Sequence, residues 1–282
     1  MQLSVTAENI IQNGNIESMN KKVVYSALVG NYDILKQPEE LRQDYDYICF
    51  SNDIQEKNCG VWQIRRIPYS HRENVRMSRY VKMHPHTLLP EYEFCLWLDC
   101  NQRLTAEHYD KADMLIGNGE ISAMVIHPER DCVYQESYAL AGYLTGEPYK
   151  VYLQTKFLLS QKFPPRAGLY VTCCMLLKPQ HPKISRFLNM WWEQCEKFSC
   201  RDQMGVMYAL AQADVKPAVF FHRDYWMKYR LPHLNEKKQY TFLQRLKRFI
   251  CRKFFLYRLK LLFFCHGIKD FDWQRVTLIE MQ

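Results

Sequence analysis

The sequence lacks the short motifs that identify several common enzyme classes. Only 10 of its 282 residues are glycine, and these form neither the Gly-x-Gly-x-x-Gly pattern of dinucleotide-binding folds nor a Walker loop. A Gly-x-Ser-x-Gly nucleophile elbow is also absent. These absences argue against a dinucleotide-dependent oxidoreductase, a P-loop enzyme and a serine hydrolase with an α/β-hydrolase fold.

Long apolar runs and paired cysteines are missing as well. No uninterrupted apolar stretch approaches the roughly 18 residues of a membrane span, and the polar first 20 residues contain no signal-peptide core. The 11 cysteines are odd in number and include no Cys-x-x-Cys pair. This pattern favours reduced, buried thiols over a disulfide framework or a structural zinc site. The sequence therefore predicts a cytoplasmic protein.

Positive charge is concentrated in one segment of the chain. The formal net charge is +8, from 38 basic and 30 acidic residues. Residues 241–269 contain eight basic residues and no acidic ones, so the rest of the chain carries 30 of each sign. We therefore expect a polar lead over residues 1–21, a neutral globular domain over 22–240, and a basic tail over 241–282.

Strand-like and helix-like segments alternate along the predicted domain. Apolar or β-branched runs typical of buried strands occur at residues 23–29, 46–51, 61–67, 94–98, 123–126, 169–177 and 218–221. Helices are expected over residues 71–83, 135–144, 147–162, 185–197 and 203–212. The first of these helices would begin with a capping box at Ser70 and Glu73. The alternation predicts an α/β fold with a mostly parallel sheet flanked by helices.

Polar residues follow the predicted strands, at the edge where open α/β sheets bind ligands. Asp99 and Asn101 can supply oxygen ligands to a divalent cation that bridges two phosphates. A turn in which both side chains bond to the local backbone is the alternative. Arg72, Arg76 and Arg79 have the spacing of one helix face, which would suit a diphosphate or would simply be a solvated basic surface.

Six short motifs resemble a known family in their order along the chain. They are Val29-Gly30-Asn31-Tyr32-Asp33, Phe50-Ser51-Asn52-Asp53, the segments 79–86, 97–101 and 127–130, and Arg201-Asp202-Gln203. The pattern resembles the glycosyltransferase-like family, formerly catalogued as a domain of unknown function, that includes plant rhamnogalacturonan galacturonosyltransferases and bacterial polysaccharide enzymes. The resemblance covers residues 22–222 and leaves the tail uncovered.

This resemblance implies a GT-A (Rossmann-like) fold, with a mixed and mostly parallel sheet, and a hexosyl- or uronosyltransferase. The enzyme would move a sugar from a nucleotide-diphosphate donor, such as a UDP-sugar, to a glycan or lipid-linked acceptor in cell-surface polysaccharide synthesis. Retention of the anomeric configuration is also implied. The implied donor-binding residues are Val29, Gly30, Tyr32 and Asp53 for the nucleotide, and Arg79, Lys82 and Asp99 for the diphosphate or donor sugar.

The resemblance also implies a metal site. Asp99 and Asn101 take the place of the Asp-x-Asp motif of GT-A enzymes, and His222 matches the late histidine that completes this site in related retaining enzymes. The cofactor would be Mn²⁺ or Mg²⁺, although Asn101 removes one ligand charge. A plain structural histidine is the alternative for His222.

Asp202 and Gln203 match the Asp-Gln pair that lies beneath the donor's anomeric carbon in retaining GT-A enzymes, and are therefore the implied catalytic residues. A carboxylate and an amide there can stabilise an oxocarbenium-like centre and orient the acceptor. Interaction of Asp202 with a helix N-terminus is the alternative. Glu136 is a weaker candidate, expected by default on a helix surface. The residues implied at the donor-sugar or acceptor rim are His127, Glu129 and Arg130.

The basic tail predicts a helix that lies on a membrane. Aromatic and aliphatic residues recur at helical spacing over 241–269 with arginines on another face, which is typical of an interfacial helix attracted to anionic lipid. The protein would then be peripheral on the cytoplasmic face of the membrane. Docking of the helix on the domain is the alternative, and no nucleic-acid-binding motif accompanies the charge. Two further functions stay open: a catalytically silent nucleotide-sugar or glycan-binding module, and a membrane-lipid hydrolase.

Overall fold

The computed structural model of the protein describes residues 21–30, 33–145, 147–231 and 241–268. Tyr32 and nearly all of the predicted polar lead lie outside these residues. The strands are β1 (Lys22–Ala27), β2 (Tyr45–Phe50), β3 (Asn58–Cys59), β4 (Trp62–Arg65), β5 (Phe94–Leu98), β6 (Ser122–Ile126), β7 (Tyr170–Leu177) and β8 (Ala218–Phe221). The helices are α1 (Asn74–Met83), α2 (Pro85–Leu88), α3 (Ala106–Gly117), α4 (Val133–Tyr143), α5 (Pro148–Ser160), α6 (Pro182–Lys197), α7 (Gln203–Gln212), α8 (Tyr225–Tyr229) and α9 (Phe242–Cys265).

The strands form one mixed sheet in the order β3-β4-β2-β1-β5-β7-β6-β8. Strand β1 is parallel to β2 and β5, β2 to β4, and β6 to β8, whereas β7 is antiparallel to both of its neighbours. The carboxyl ends of β1, β2, β5, β6 and β8 therefore share one edge with the amino end of β7. This arrangement confirms the predicted GT-A-like α/β fold with a mostly parallel sheet and flanking helices.

Burial on both faces explains why the central strands are continuous apolar runs. All five residues of β5 are buried. Cys95 and Trp97 join the core cluster beneath α1, α4–α7 and α9, while Leu96 and Leu98 join the cluster beneath α3 and α8. Alternate side chains of a strand point to opposite faces, so a strand covered on both sides needs apolar residues at every position.

Helix α1 begins later than the sequence predicts. It starts at Asn74, and Glu73 is its N-cap residue without a side-chain capping bond. The carboxylate of Glu73 instead accepts a hydrogen bond of 2.7 Å from Arg76 Nε. The predicted capping box of Ser70 and Glu73 is therefore wrong, because this ion pair engages the glutamate.

The tail contains the predicted helix, α9, which packs on α4 and α5. Leu256, Leu259 and Phe263 are its buried side chains and belong to the larger core cluster. Among the described residues, none of the helices has the length and apolar character needed to cross a membrane. The predicted domain boundary at residue 240 stays a prediction.

Candidate active site

A buried ammonium group lies at the centre of the candidate site. Lys82, in α1, is 0% exposed, and its Nζ lies 2.7 Å from Asp202 Oδ2, 3.3 Å from Asp99 Oδ1 and 3.1 Å from Thr172 Oγ1. An ammonium group has three N–H donors, so these contacts can use all of them. Lys82 therefore joins the two predicted aspartates, and its predicted place beside a diphosphate or sugar stays a prediction.

Asp202 is held as a buried carboxylate. Its side chain is 5% exposed, and Oδ2 accepts a hydrogen bond of 2.7 Å from the Thr172 hydroxyl as well as the bond from Lys82. Burial alone would raise the pKa of Asp202, but the positive charges of Arg79, Lys82 and Arg201 hold this pKa well below its usual range. The carboxylate is therefore ionised at every pH at which the protein is expected to work.

The backbone of Asp202 is fixed independently of its side chain. Its carbonyl oxygen accepts a hydrogen bond of 2.9 Å from Trp191 Nε1, in α6. Asp202 is the N-cap residue of α7, yet its side chain makes no capping hydrogen bond. Asp202 therefore lies at the helix N-terminus, as the alternative expects, while its side-chain hydrogen bonds join Lys82 and Thr172.

Asp99 lies where β5 ends, with one oxygen fixed and one available. Its Oδ1 accepts hydrogen bonds from Trp97 Nε1 at 2.7 Å and from Lys82 Nζ at 3.3 Å. Within the described part of the chain Oδ2 makes no hydrogen bond, and the side chain is 29% exposed. The geometry suits a carboxylate that hydrogen bonds to one oxygen hold in place while its second oxygen faces a ligand.

The other two predicted metal ligands differ in exposure. Asn101 is 7% exposed, and its Oδ1 accepts a hydrogen bond of 3.0 Å from Gln102 Nε2. His222 is exposed, immediately after β8. The described residues include no group of three His, Cys, Asp or Glu side chains placed to hold a metal. The oxygen donors present fit a hard cation that takes its remaining ligands from phosphates and water.

A hydrogen bond between a backbone N–H group and a side chain joins the loops after β1 and β2. The Gly30 N–H donates a hydrogen bond of 2.5 Å to Asp53 Oδ2. Gly30 has a φ of +76°, and a Cβ atom there would lie 1.8 Å from Asn74 Nδ2, so only glycine fits without a shift. Val29 is buried beside it. Asp53, predicted to contact the nucleotide base, thus also holds the glycine turn.

The three arginines of the predicted basic face have different roles. Arg76 is 4% exposed, and its Nη1 and Nη2 donate hydrogen bonds of 2.5 Å and 3.2 Å to the carbonyls of Cys195 and Phe198. It therefore binds the C-terminal end of α6 instead of facing a ligand. Arg72 precedes α1 and is exposed. Arg79 alone of the three approaches Asp202, with Nε 3.3 Å from Asp202 Oδ2.

The predicted rim forms a compact cluster after β6. His127 is 4% exposed, and its Nδ1 accepts the backbone N–H groups of Glu129 and Arg130 at 3.1 Å and 3.0 Å. Glu136, expected on a helix surface, is instead 2% exposed. Its burial is explained by Arg130, whose Nε donates a hydrogen bond of 2.8 Å to Glu136 Oε2.

This cluster should make the protein sensitive to acid. Burial is the main cause that lowers the pKa of His127 to about 4, against about 6.5 in an unfolded chain. Between these values the unfolded state binds the extra proton, so the stabilising contribution is complete above pH 6.5 and is lost as the pH falls toward 4. We expect His127 to contribute about 2 kcal/mol to the loss of unfolding free energy between pH 7.5 and 5.

Urea unfolding of the wild type and of His127→Asn at these two pH values measures this effect. The Asn oxygen can replace Nδ1 as the acceptor for the two backbone N–H groups, and it does not titrate. The variant should lose less stability on acidification than the wild type. An equal loss in both proteins would show that His127 does not titrate in this range.

Three residues of the site were not identified from the sequence. Thr172 bonds both Lys82 and Asp202, Trp97 orients Asp99, and Trp191 binds the Asp202 backbone. Thr172 lies near the amino end of β7, so only the direction of that strand could have placed it at this edge. The two indoles occur in apolar segments that predict core packing.

The chain is similar in sequence to known proteins and aligns with a solved structure. Residues 6–228 match the TOD1/MUCI70, glycosyltransferase-like domain. The probable hexosyltransferase MUCI70 of Arabidopsis thaliana is 22% identical over 209 residues, which are 64% of this chain and 36% of that protein, so the chain spans just over a third of its length. The apo crystal structure of mouse xyloside xylosyltransferase 1 aligns with a TM-score of 0.35 and 13% identity over 67% of this chain and 79% of that one. Because the domain match covers most of its length, the chain belongs to the TOD1/MUCI70 glycosyltransferase-like family.

Proposed function

We propose that this chain transfers a hexosyl or uronosyl group from a nucleotide-diphosphate sugar, with a UDP-sugar favoured, to a glycan or lipid-linked acceptor in cell-surface polysaccharide synthesis. The family supplies the reaction class. The observation that carries the proposal is the buried Lys82, which bonds both Asp99 and Asp202 at the ligand-binding edge of the sheet. These are the residues that the family resemblance identifies as the metal-binding and catalytic aspartates.

The charges around the site favour an anionic donor. The site has three cations, Lys82, Arg79 and Arg201, and two carboxylates, Asp99 and Asp202. All three cations lower the pKa of Asp202. Nε of Arg201 is buried and makes no hydrogen bond to any described residue, whereas Nε of Arg79 lies 3.3 Å from Asp202 Oδ2. A diphosphate accepts such donors well, because its oxygens match the forked geometry of a guanidinium group.

A divalent cation, Mn²⁺ or Mg²⁺, fits the oxygen donors of this edge. Asp99 and Asn101 would hold it, with His222 as the third protein ligand and the remaining positions filled by phosphate oxygens and water. When bound, the cation would neutralise charge on the diphosphate as it departs. Asn101 contributes no charge, so we expect weaker metal binding than two aspartates would give.

The proposed reaction retains the anomeric configuration. The bond between the anomeric carbon and the diphosphate oxygen breaks, the acceptor oxygen bonds to the same face of that carbon, and the acceptor's proton passes to the departing phosphate. The ionised Asp202 stabilises the positive charge that develops on the sugar. Its lowered pKa makes it a poor proton acceptor, which suits an electrostatic role. Gln203, half-buried in the first turn of α7, would orient the acceptor hydroxyl.

A catalytically silent nucleotide-sugar-binding module is the second candidate. The observation that favours it is Asn101, which replaces the second carboxylate of the metal motif. Such a module would bind the donor with the same residues and would not turn it over. Binding and turnover therefore have to be measured separately.

Thermal-shift measurements with UDP, GDP and CDP, with and without MnCl₂, test donor binding. We expect the unfolding temperature to rise with a nucleotide diphosphate, and to rise further with Mn²⁺. Asp99→Asn should remove the effect of Mn²⁺, and Asn101→Asp should increase it because a second ligand charge is restored. No shift with any nucleotide diphosphate would contradict the proposal. Nucleotide binding without transfer from any of the matching nucleotide sugars would instead support the silent module.

A further inference from the structure

Helix α9 has two separate apolar faces. One packs on the domain through Leu256, Leu259 and Phe263, which contact the core beneath α4 and α5. Nine other large apolar side chains of the same helix are between 46% and 78% exposed. They are Phe242, Leu243, Leu246, Phe249, Ile250, Phe254, Tyr257, Leu261 and Phe264. The sequence offered docking and lipid binding as alternatives, and the structure shows one docked and one exposed apolar face.

Helical geometry places the exposed side chains on one continuous stripe. At about 100° per residue, the centre of the nine lies about 130° around the helix from the centre of the three buried ones. The stripe extends from the first turn of α9 to the last. It shares a helix with a docked face, so packing on the domain does not cover it.

Basic residues border this stripe on both sides. With the same helical spacing, Lys260 lies near one edge with Lys253 just inside it, and Lys247 and Arg258 lie along the other edge. Residues 241–268 contain no acidic side chain. An apolar surface between two basic borders matches the interface of a membrane, where acyl chains meet anionic headgroups.

We propose that the exposed stripe of α9 binds the anionic surface of a membrane, with the helix lying in the plane of the interface. A second copy of the chain is a poorer occupant, because a symmetric contact would bring basic borders together without an acidic partner. A nucleic acid would leave the nine apolar side chains without a partner. The cytoplasmic leaflet is anionic, so this face would hold the protein on the cytoplasmic side.

The docked face determines which part of the protein is held near the lipid. Helix α9 contacts α4, and α4 carries Glu136 of the rim cluster in its first turn. Membrane binding through the stripe would therefore keep the rim in a fixed relation to the bilayer, which suits a lipid-linked acceptor. This choice of acceptor rests on the proposed function, but lipid binding by the stripe does not.

Co-sedimentation of the full chain with lipid vesicles tests the proposal. Vesicles of phosphatidylcholine alone are compared with an equal mixture of phosphatidylcholine and phosphatidylglycerol. The triple variant Leu246→Ser, Phe249→Ser, Ile250→Ser alters only exposed side chains of the stripe. We expect its partition onto the mixed vesicles to be at least about tenfold weaker than that of the wild type.

Two further variants make the comparison specific. Leu41→Ser, Met114→Ser, Met227→Ser removes three side chains of at least 54% exposure elsewhere on the surface, and should bind like the wild type. Lys253→Gln, Lys260→Gln should weaken binding to the mixed vesicles, and Lys253→Arg, Lys260→Arg should restore it. Sugar transfer to a water-soluble acceptor should be unchanged in the stripe variant, which separates failure of lipid binding from failure of the transferase.

Two results would overturn the proposal. One is equal binding of the wild type and the stripe variant to mixed vesicles. The other is a wild-type dimer in analytical ultracentrifugation that the stripe variant converts to a monomer, because the stripe would then be covered by a second copy. A monomeric wild type that binds anionic vesicles through the stripe would support it.

Discussion

Replacing Asp202 with Asn should lower the kcat of sugar transfer by about 10³-fold and leave the KM for the donor nearly unchanged. Asn keeps the size of the side chain and an acceptor for the Thr172 hydroxyl, which donates to Asp202 Oδ2. It removes the negative charge of a carboxyl group that three neighbouring cations keep ionised. The negative charge acts most strongly when positive charge develops on the sugar. The variant therefore loses stabilisation of the transition state, which lowers kcat. Steady-state kinetics with the nucleotide sugar selected by the binding screen measures it.

Asp214→Asn is the matched control for this prediction. Asp214 lies just beyond the other end of α7, its side chain is 89% exposed, and its partner is Lys183. This variant should retain the activity of the wild type. Nucleotide diphosphates should still raise the unfolding temperature of Asp202→Asn, which shows that the variant is folded and binds the donor. Wild-type kcat in Asp202→Asn would refute the assigned role.

The sheet edge at which the site lies could be predicted from the sequence. Each central strand is an apolar run that ends abruptly at a polar residue, as at Asp99 after β5 and His127 after β6. A buried parallel strand must be apolar on both faces, and its first polar residue marks the point where it reaches solvent. Because β1, β2, β5, β6 and β8 run the same way, these residues do meet at one edge.

The contacts within the site could not be predicted, because they join distant segments. Lys82 lies 120 residues before Asp202 and 90 before Thr172. Helical spacing shows that Arg76, Arg79 and Lys82 lie near one another on α1, but it does not show which of them is buried. Burial is decided by the carboxylates and carbonyls that the rest of the fold brings to each cation. The sequence of β7 does not indicate the direction of this strand in the sheet, because an apolar run has the same pattern in both directions.

Two helical features escaped prediction for local reasons. Helix α3 is polar on much of its surface, and its capping box pairs Thr105 with His108, where a Glu or Gln is the usual signal. Glu136 looks like a surface residue because carboxylates are seldom buried alone. Its partner Arg130 precedes the helix and neutralises it from the loop after β6. In both cases a polar side chain finds a hydrogen-bond partner that the hydrophobic periodicity of the sequence does not indicate.

Replacing Lys82 with Met should destabilise the fold by about 3–5 kcal/mol, because it leaves two carboxylates near each other without the buried cation between them. Met is similar in length and keeps the apolar contacts of the side chain. Burial favours a raised pKa for Asp202, and loss of Lys82 removes one of the charges that oppose this. A carboxylate pKa that folding lowers stabilises the fold at pH values above the pKa of the unfolded state, and this stabilisation is lost as the pH falls. The variant should therefore unfold at a higher pH than the wild type during acidification.

A double-mutant cycle with Asp202→Asn separates the ion pair from simple packing. If Lys82 stabilises the fold chiefly through Asp202, the double variant Lys82→Met, Asp202→Asn should be more stable than the sum of the single losses predicts, by about 1–3 kcal/mol in unfolding free energy. The reason is that removing both charges leaves neither one buried without its partner. Additive losses would show that Lys82 stabilises the fold through packing or through Asp99, 3.3 Å away. An action through Asp99 would position the proposed metal ligand, so donor binding with Mn²⁺ would be affected more than kcat.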